Sequence, residues 1–184
     1  MLPEIIITSV ISIIVLLFRK KKINVRDINI VIKGYQILII AAVMEITAEF
    51  LYKNFSESSL LKILSLNWMI YFAIFLVTLL NIKKPYMKLF LIGTILNFIA
   101  IASNDFKMPV LVSDILANTE AKKLYLQTGQ DLIHSLLTED TKFKFLCDII
   151  TLPPPYPFAK TISIGDILLF LGVFSFWQNE ASHH

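Results

Sequence analysis

The chain has 184 residues, of which 56% are hydrophobic and 17% charged, with a formal net charge of +3 and a mean hydropathy of +0.70. A soluble domain averages about 45–50% apolar and about 25% charged residues, so the composition points to an integral membrane protein. The small positive charge excludes nucleic acid as a partner, and the single cysteine, Cys147, excludes an intrachain disulfide and any multi-cysteine metal site.

About 20 apolar residues cross a bilayer core of about 30 Å, and five runs approach that length. The first, residues 2–18, is followed at once by Arg19, Lys20, Lys21, Lys22 and Arg26. A basic cluster after the apolar run, with no small-residue cleavage site, predicts a retained anchor rather than a cleaved signal peptide. The second run covers 30–52 and the third 63–82, joined by the short polar stretch "KNFSESS". Lys83, Lys84 and Lys88 precede the fourth, 89–103, and the fifth is 162–177, with Trp177 as an interfacial anchor. Basic side chains collect in short cytoplasmic loops. The pattern therefore predicts a multi-pass protein of the bacterial cytoplasmic membrane, N-terminus outside and C-terminus cytoplasmic, with residues 104–160 external. His183 and His184 read as the remnant of a purification tag.

The external segment is patterned. Pro109 is placed to open a helix in which Val110, Leu111, Ile115, Leu116 and Ala117 recur at helical spacing. Residues 131–137 form a second short amphipathic piece, and Phe143, Phe145 and Leu146 alternate with Lys142 and Lys144. The expected fold class is thus an all-α integral membrane protein, a single domain over 1–182 with about five transmembrane helices and an external amphipathic helical cap.

Three groups of polar residues compete for a site. Glu45 and Glu49 lie four apart in "MEITAEF", on one helix face. An acid inside a span is costly, which marks Glu45 either as a pathway or site residue or as an interhelical hydrogen bonder. Asn67 and Asn97 read as interhelical glue. His134 and Cys147 have the residue types of a thiol peptidase, but they stand far apart with no motif at either end, so a structural cysteine is the better reading. The stretch "LCDIITLPPPYPFAKTISIGD" carries the strongest case. Its prolines stiffen the path between Asp148 and Asp166, and two carboxylates brought together share a proton, one serving as acid and the other as base. The alternative is that Asp166 caps the last helix and Asp148 merely ends the element before the loop.

Residues Gly93, Asn97, Asn104, Met108, Pro109, His134, Thr141, Asp148, Leu152 and Pro153, with "SIGD" at 163–166, carry a resemblance. In them the chain resembles a family of uncharacterised polytopic membrane proteins of Gram-positive bacteria, a domain of unknown function. It departs from that pattern at "DF" after Asn104 and at Cys147, both positions where glycine is usual. The C-terminal third is also similar to the lipoprotein signal peptidases, membrane aspartyl peptidases with two catalytic aspartates. "LCDII" resembles the run around their first aspartate, "ISIGD" the run ending in their second, and Gly172 follows at a matching distance. Ser163 stands where that family has asparagine, and only Asn97 or Asn104 is placed to match its other asparagine. This second resemblance implies a metal-free, cofactor-free peptidase with Asp148 and Asp166 catalytic. Around them Asn104 and Ser163 are expected to orient the pair, with Glu45 and His134 as further binding or orienting candidates. The partners expected are the lipid bilayer and a membrane-anchored peptide or lipid. Two rivals stand beside the peptidase: a non-catalytic membrane module binding a lipid, peptide or protein, and a small transporter built on Glu45.

Overall fold

The computed structural model describes residues 2–19, 31–54, 68–129, 131 and 133–180. Lys20–Arg26, Asn67, most of "KNFSESS" and the terminal histidines lie outside the described residues, as does the side chain of Glu49. Six α-helices occur among the described residues: α1 Leu2–Phe18, α2 Tyr35–Asn54, α3 Trp68–Leu80, α4 Pro85–Ala102, α5 Thr119–Gln127 and α6 Ile164–Glu180. Four three-residue strands accompany them: β1 Met108–Val110, β2 His134–Leu136, β3 Ile150–Leu152 and β4 Lys160–Ile162.

Two of the helix starts are explained by local sequence. Pro85 sits at the first turn of α4, where its missing N–H costs nothing and its fixed φ suits the helix. Glu4 in the first turn of α1 places a carboxylate against the positive end of the helix dipole. Packing then orders the bundle: α4 lies along α6, α6 also packs on α1, α3 on α4, and α2 on α3.

Close approach of α4 and α6 depends on two glycines. A Cβ on Gly93 would fall 2.7 Å from the Gly165 carbonyl oxygen, and one on Gly165 would fall 2.0 Å from Asn97 Oδ1. The two helices meet nearly backbone to backbone there. At one end of the bundle Lys84 Nζ binds Glu180 at 2.7 Å, and Tyr86 donates to the same carboxylate. Arg19, just beyond α1, reaches Gln178 at that end as well. Midway, buried Ser12 donates to the Phe174 carbonyl at 2.8 Å and accepts from Gln178, tying α1 to α6. The opposite end carries Glu4, Tyr71, Ile101 and Asp166, and there the strands form a cap.

The cap is built from two small sheets. β1 and β2 are parallel, pairing Met108 with His134 and Val110 with Leu136, and α5 is the crossover that a parallel pair requires. On its other side β1 meets the 148 position: Asp148 N donates to the Pro109 carbonyl at 3.0 Å, and Leu111 N donates to the Asp148 carbonyl at 2.8 Å. Pro109 is fully buried, and its lack of an N–H leaves no donor unsatisfied. β3 and β4 form an antiparallel hairpin closed by the proline-rich loop, with Ile150 opposite Ile162 and Leu152 opposite Lys160. A core of Ala100, Ile101, Met108, Leu146 and Cys147 joins cap to bundle.

These observations correct the expected fold class. The structure is mostly helical but not all-α, and the described residues do not contain about five helices fit to cross a membrane. Among the described residues one helix, α4, is long and apolar enough, with 18 residues of mean hydropathy 1.6. The apolar stretches of α1, α2 and α3 are shorter, namely Pro3–Phe18, Tyr35–Ala48 and Met69–Leu80. In α2 the apolar stretch ends at Ala48, just before Glu49, and α3 stops where Asn81 turns the chain, donating to the Lys33 and Val77 carbonyls. The cap was expected to be helical. Instead the helix predicted from Pro109 is strand β1 followed by turns, the 131–137 piece holds strand β2, and only a 3-10 turn forms over Lys144–Leu146. Each strand is too short to show its own periodicity, and β1 and β2 are held by partners distant in sequence.

Candidate functional site

The hairpin sets the geometry of the site. Asp148 lies two residues before β3 and Asp166 four residues after β4, so antiparallel pairing of Ile150 with Ile162 returns the chain to the level of Asp148 as α6 begins. Both carboxylates are only 8% exposed, and both line one cavity of about 350 Å³ between the bundle end and the cap. Tyr71, Ile101, Met108, Lys122, His134 and Lys160 contribute to the same wall.

Asp166 is fixed from three directions. Its N–H donates to Ser163 Oγ at 2.9 Å and its Oδ2 accepts from Ser163 N at 3.3 Å, the reciprocal arrangement of a capping box at the start of α6. Its Oδ1 accepts from Asn97 Nδ2 at 2.9 Å, and Ser163 Oγ donates to Asn97 Oδ1 at 2.8 Å. Asn97 and Ser163 are fully buried, so this closed set of bonds from α4 to α6 allows Asp166 one orientation.

Asp148 is held differently. Its backbone is locked to β1, yet its buried Oδ1 has no hydrogen-bond partner in the structure. Burial and the charge of Asp166 push its carboxyl up to about 7, against the weaker pull of His134, Lys160 and Lys122. At neutral pH one of two acids in a common cavity therefore keeps its proton for much of the time, the condition for dividing acid and base roles.

The rest of the wall is charged and ordered. Asp131 Oδ2 lies 3.2 Å from His134 Nδ1, and Asp131 Oδ1 accepts from the N–H groups of Ile133 and His134. Burial works against the Asp131 charge, but these bonds outweigh it and hold the carboxyl well below its ordinary range. Lys160 Nζ binds buried Glu4 at 2.9 Å, and Tyr156 from the proline loop donates to Glu4 at 3.0 Å. The proline loop is thereby tied to the start of α1.

Among the expected site residues, Asp148, Asp166 and His134 line the cavity and Ser163 bonds directly to Asp166. Asn104 does not orient the pair. Its amide bonds the carbonyls of Ala100 and Lys142, and its oxygen accepts from Lys142 N at 2.9 Å, clamping a cap loop. Glu45 is buried within α2 and is not among the residues lining the cavity. Cys147 is fully buried; burial and then the Asp148 charge raise its thiol to about 11, which suits a core residue and not a nucleophile. Sequence reasoning missed Tyr71, Lys122, Asp131 and Lys160, which are distant in the chain and carry no motif. Asn97 was read as interhelical glue, and it does bridge α4 to α6, but through the Asp166 carboxylate itself.

The fold and cavity define a helical protein with a small stranded cap over a buried acid pair. A model for a family of unknown function, DUF5317, matches residues 29–178, and the chain belongs to that family. An uncharacterised protein of Thermotoga maritima is 35% identical over 104 residues, 56% of this chain; the match spans 57% of that relative's length, less than two thirds. No solved structure matches the chain.

Proposed function

We propose that the protein is a membrane-bound acid–base hydrolase of the aspartyl peptidase type, acting at the outer face of the bacterial cytoplasmic membrane. The observation that supports this reading above the others is Asp148: a buried carboxyl with an unpartnered oxygen, raised to about 7, in one cavity with a rigidly bonded Asp166. The membrane setting is supported by α4 and by apolar side chains left exposed along α1 and α2, among them Ile6, Val10, Leu17, Ile40, Val43 and Ile46. Contiguous exposed apolar side chains of this kind mark interaction or membrane surfaces.

In the proposed reaction a water molecule sits between the carboxyls. Asp166 takes a proton from it as the oxygen attacks the scissile carbonyl carbon, while protonated Asp148 donates a hydrogen bond to the carbonyl oxygen and then its proton, giving a neutral diol. Collapse breaks the C–N bond. The leaving nitrogen receives the proton held by Asp166, and a diol hydroxyl returns its proton to Asp148, restoring both groups. Asn97 and Ser163 keep Asp166 aimed throughout. Because Asp148 must start protonated, turnover falls as pH rises through about 7.

The rival is a non-catalytic module whose cavity receives a ligand from the membrane. The Ser163–Asp166 capping box favours it, since it gives Asp166 structural work independent of chemistry. Incubating the protein in lipid nanodiscs with a panel of membrane-anchored peptides in ¹⁸O-water separates the two. Hydrolysis predicts new carboxyl termini carrying the label, lost in Asp148→Asn and in Asp166→Asn, each nearly as damaging as both together. No cleavage of any peptide by the wild type, with the peptides still bound, refutes the peptidase and leaves the module.

A further inference from the structure

The cap loop clamped by Asn104 has a shape that the acid cavity does not require. Phe143 and Phe145 are 50% and 59% exposed, their rings edge to face at 6.4 Å, and Phe106 on the neighbouring turn is 46% exposed. Only Leu146 of this run turns inward, to the core shared with Ala100 and Met108. Backbone strain maintains the display. Asp105, Phe106 and Phe143 have φ of 54°, 57° and 49°, a left-handed conformation that is an outlier for bulky side chains. Strain of this kind persists only where surrounding bonds over-determine it, and it marks segments with a task. Here the bonds are those of Asn104, which grips both backbone groups of Lys142 and, through the Ala100 carbonyl, the last turn of α4.

We propose that this loop is a membrane wedge: Phe143, Phe145 and Phe106 insert at the boundary between lipid headgroups and acyl chains, and Lys142 and Lys144 bind lipid phosphates. The occupant follows from two observations. Asn104 fixes the loop at the end of α4, the one described helix long and apolar enough to cross a bilayer, so the aromatic tip lies where such a helix would leave the hydrocarbon. The lysines alternate with the exposed rings, and among the described residues neither has a carboxylate within ion-pairing distance, although Glu139 and Asp140 are close in sequence. Apolar rings flanked by unpaired ammonium groups complement a surface that is apolar beneath phosphate, and long basic side chains reach such a surface while their stems stay buried. The wedge rests on the membrane setting proposed above and not on the peptidase chemistry.

The test uses the full chain in nanodiscs, with Cys147→Ala as background. A single Phe145→Cys or Phe143→Cys carries an environment-sensitive fluorophore, and Glu120→Cys on exposed α5 serves as reference. The proposal expects the label at 143 and 145 to be quenched by brominated lipid several-fold more than at 120, at a depth of about 5–10 Å below the headgroups. It expects the reverse order for aqueous iodide. Asn104→Ala should make the label at 145 shallower while the chain stays folded by circular dichroism, and Lys142→Glu with Lys144→Glu should do the same without touching the clamp. Labels at 143 and 145 as open to iodide as the label at 120, or quenched by a second copy rather than by lipid, overturn the proposal.

Discussion

Replacing Gly165 with alanine tests the packing that aims the acid pair. The added methyl would fall 2.0 Å from Asn97 Oδ1, 2.6 Å from its Cγ and 2.8 Å from the Gly93 carbonyl oxygen. Rotation of Asn97 can relieve the first two contacts, but only by breaking its bonds to Asp166 and Ser163; the third is backbone and can be relieved only by moving α6 away from α4. Overpacking of this kind costs about 1–3 kcal/mol, and losing a hydrogen bond to a charged group costs about 1.5–3 kcal/mol more. A total of about 3–5 kcal/mol is expected. In a chain of this size that lowers Tm by about 6–20 °C. Thermal unfolding in detergent, followed by circular dichroism, measures it, with Gly172→Ala as comparison because the atoms nearest its methyl belong to the Phe90 ring, the closest at 3.1 Å, and not to backbone. A Gly165→Ala chain as stable as wild type, or no less stable than Gly172→Ala, would refute the close α4–α6 contact and the orientation of Asp166 derived from it.

Asp148→Asn should change stability in a pH-dependent way. The carboxyl titrates near 7 when folded against an ordinary 3.8, so the native state binds more protons between those values and wild-type stability falls as pH rises from about 4 to about 7. The asparagine variant lacks this loss and should be relatively more stable above pH 7, by up to about 4 kcal/mol, with the difference vanishing toward pH 4; unfolding curves at pH 4 and pH 8 measure it. Cys147 should resist maleimide at pH 7 in the folded protein and react only after unfolding, because its thiol is buried and raised to about 11.

How much of this was legible in the sequence depends on the range of the forces involved. The apolar runs located α1, α4 and α6 within a few residues, because burial of long aliphatic stretches is written locally. They misled on spanning capacity, since a run read in one dimension ignores breaks such as Asn81 and Glu49. The elements of the cap were misplaced. Val110–Ala117 has helical apolar spacing, yet Met108–Val110 is pulled into a strand by β2 and by Asp148, and the helix forms instead over the more polar Thr119–Gln127. Asp148 and Asp166 stood out because two acids flanked a proline-rich loop in an apolar context. Of their supports, Ser163 and Asn97 were already marked in the sequence, whereas Tyr71 and Lys160 did not stand out, because they reach the cavity by tertiary packing alone. Asn104 shows the converse error: a polar residue beside a span was assigned to the site, while its hydrogen bonds hold a different loop.

The measurement that bears most directly on the acid pair is a carboxyl titration of Asp148, by NMR of aspartate ¹³C-labelled protein, in wild type and in Asp166→Asn. A midpoint of about 7 is expected in wild type. Removing the Asp166 charge should lower it, though not to the ordinary carboxylate range, because burial is the larger cause. A midpoint near 4 in wild type, or one that Asp166→Asn leaves unmoved, would contradict the claim that these two carboxylates share a cavity as one acid–base unit.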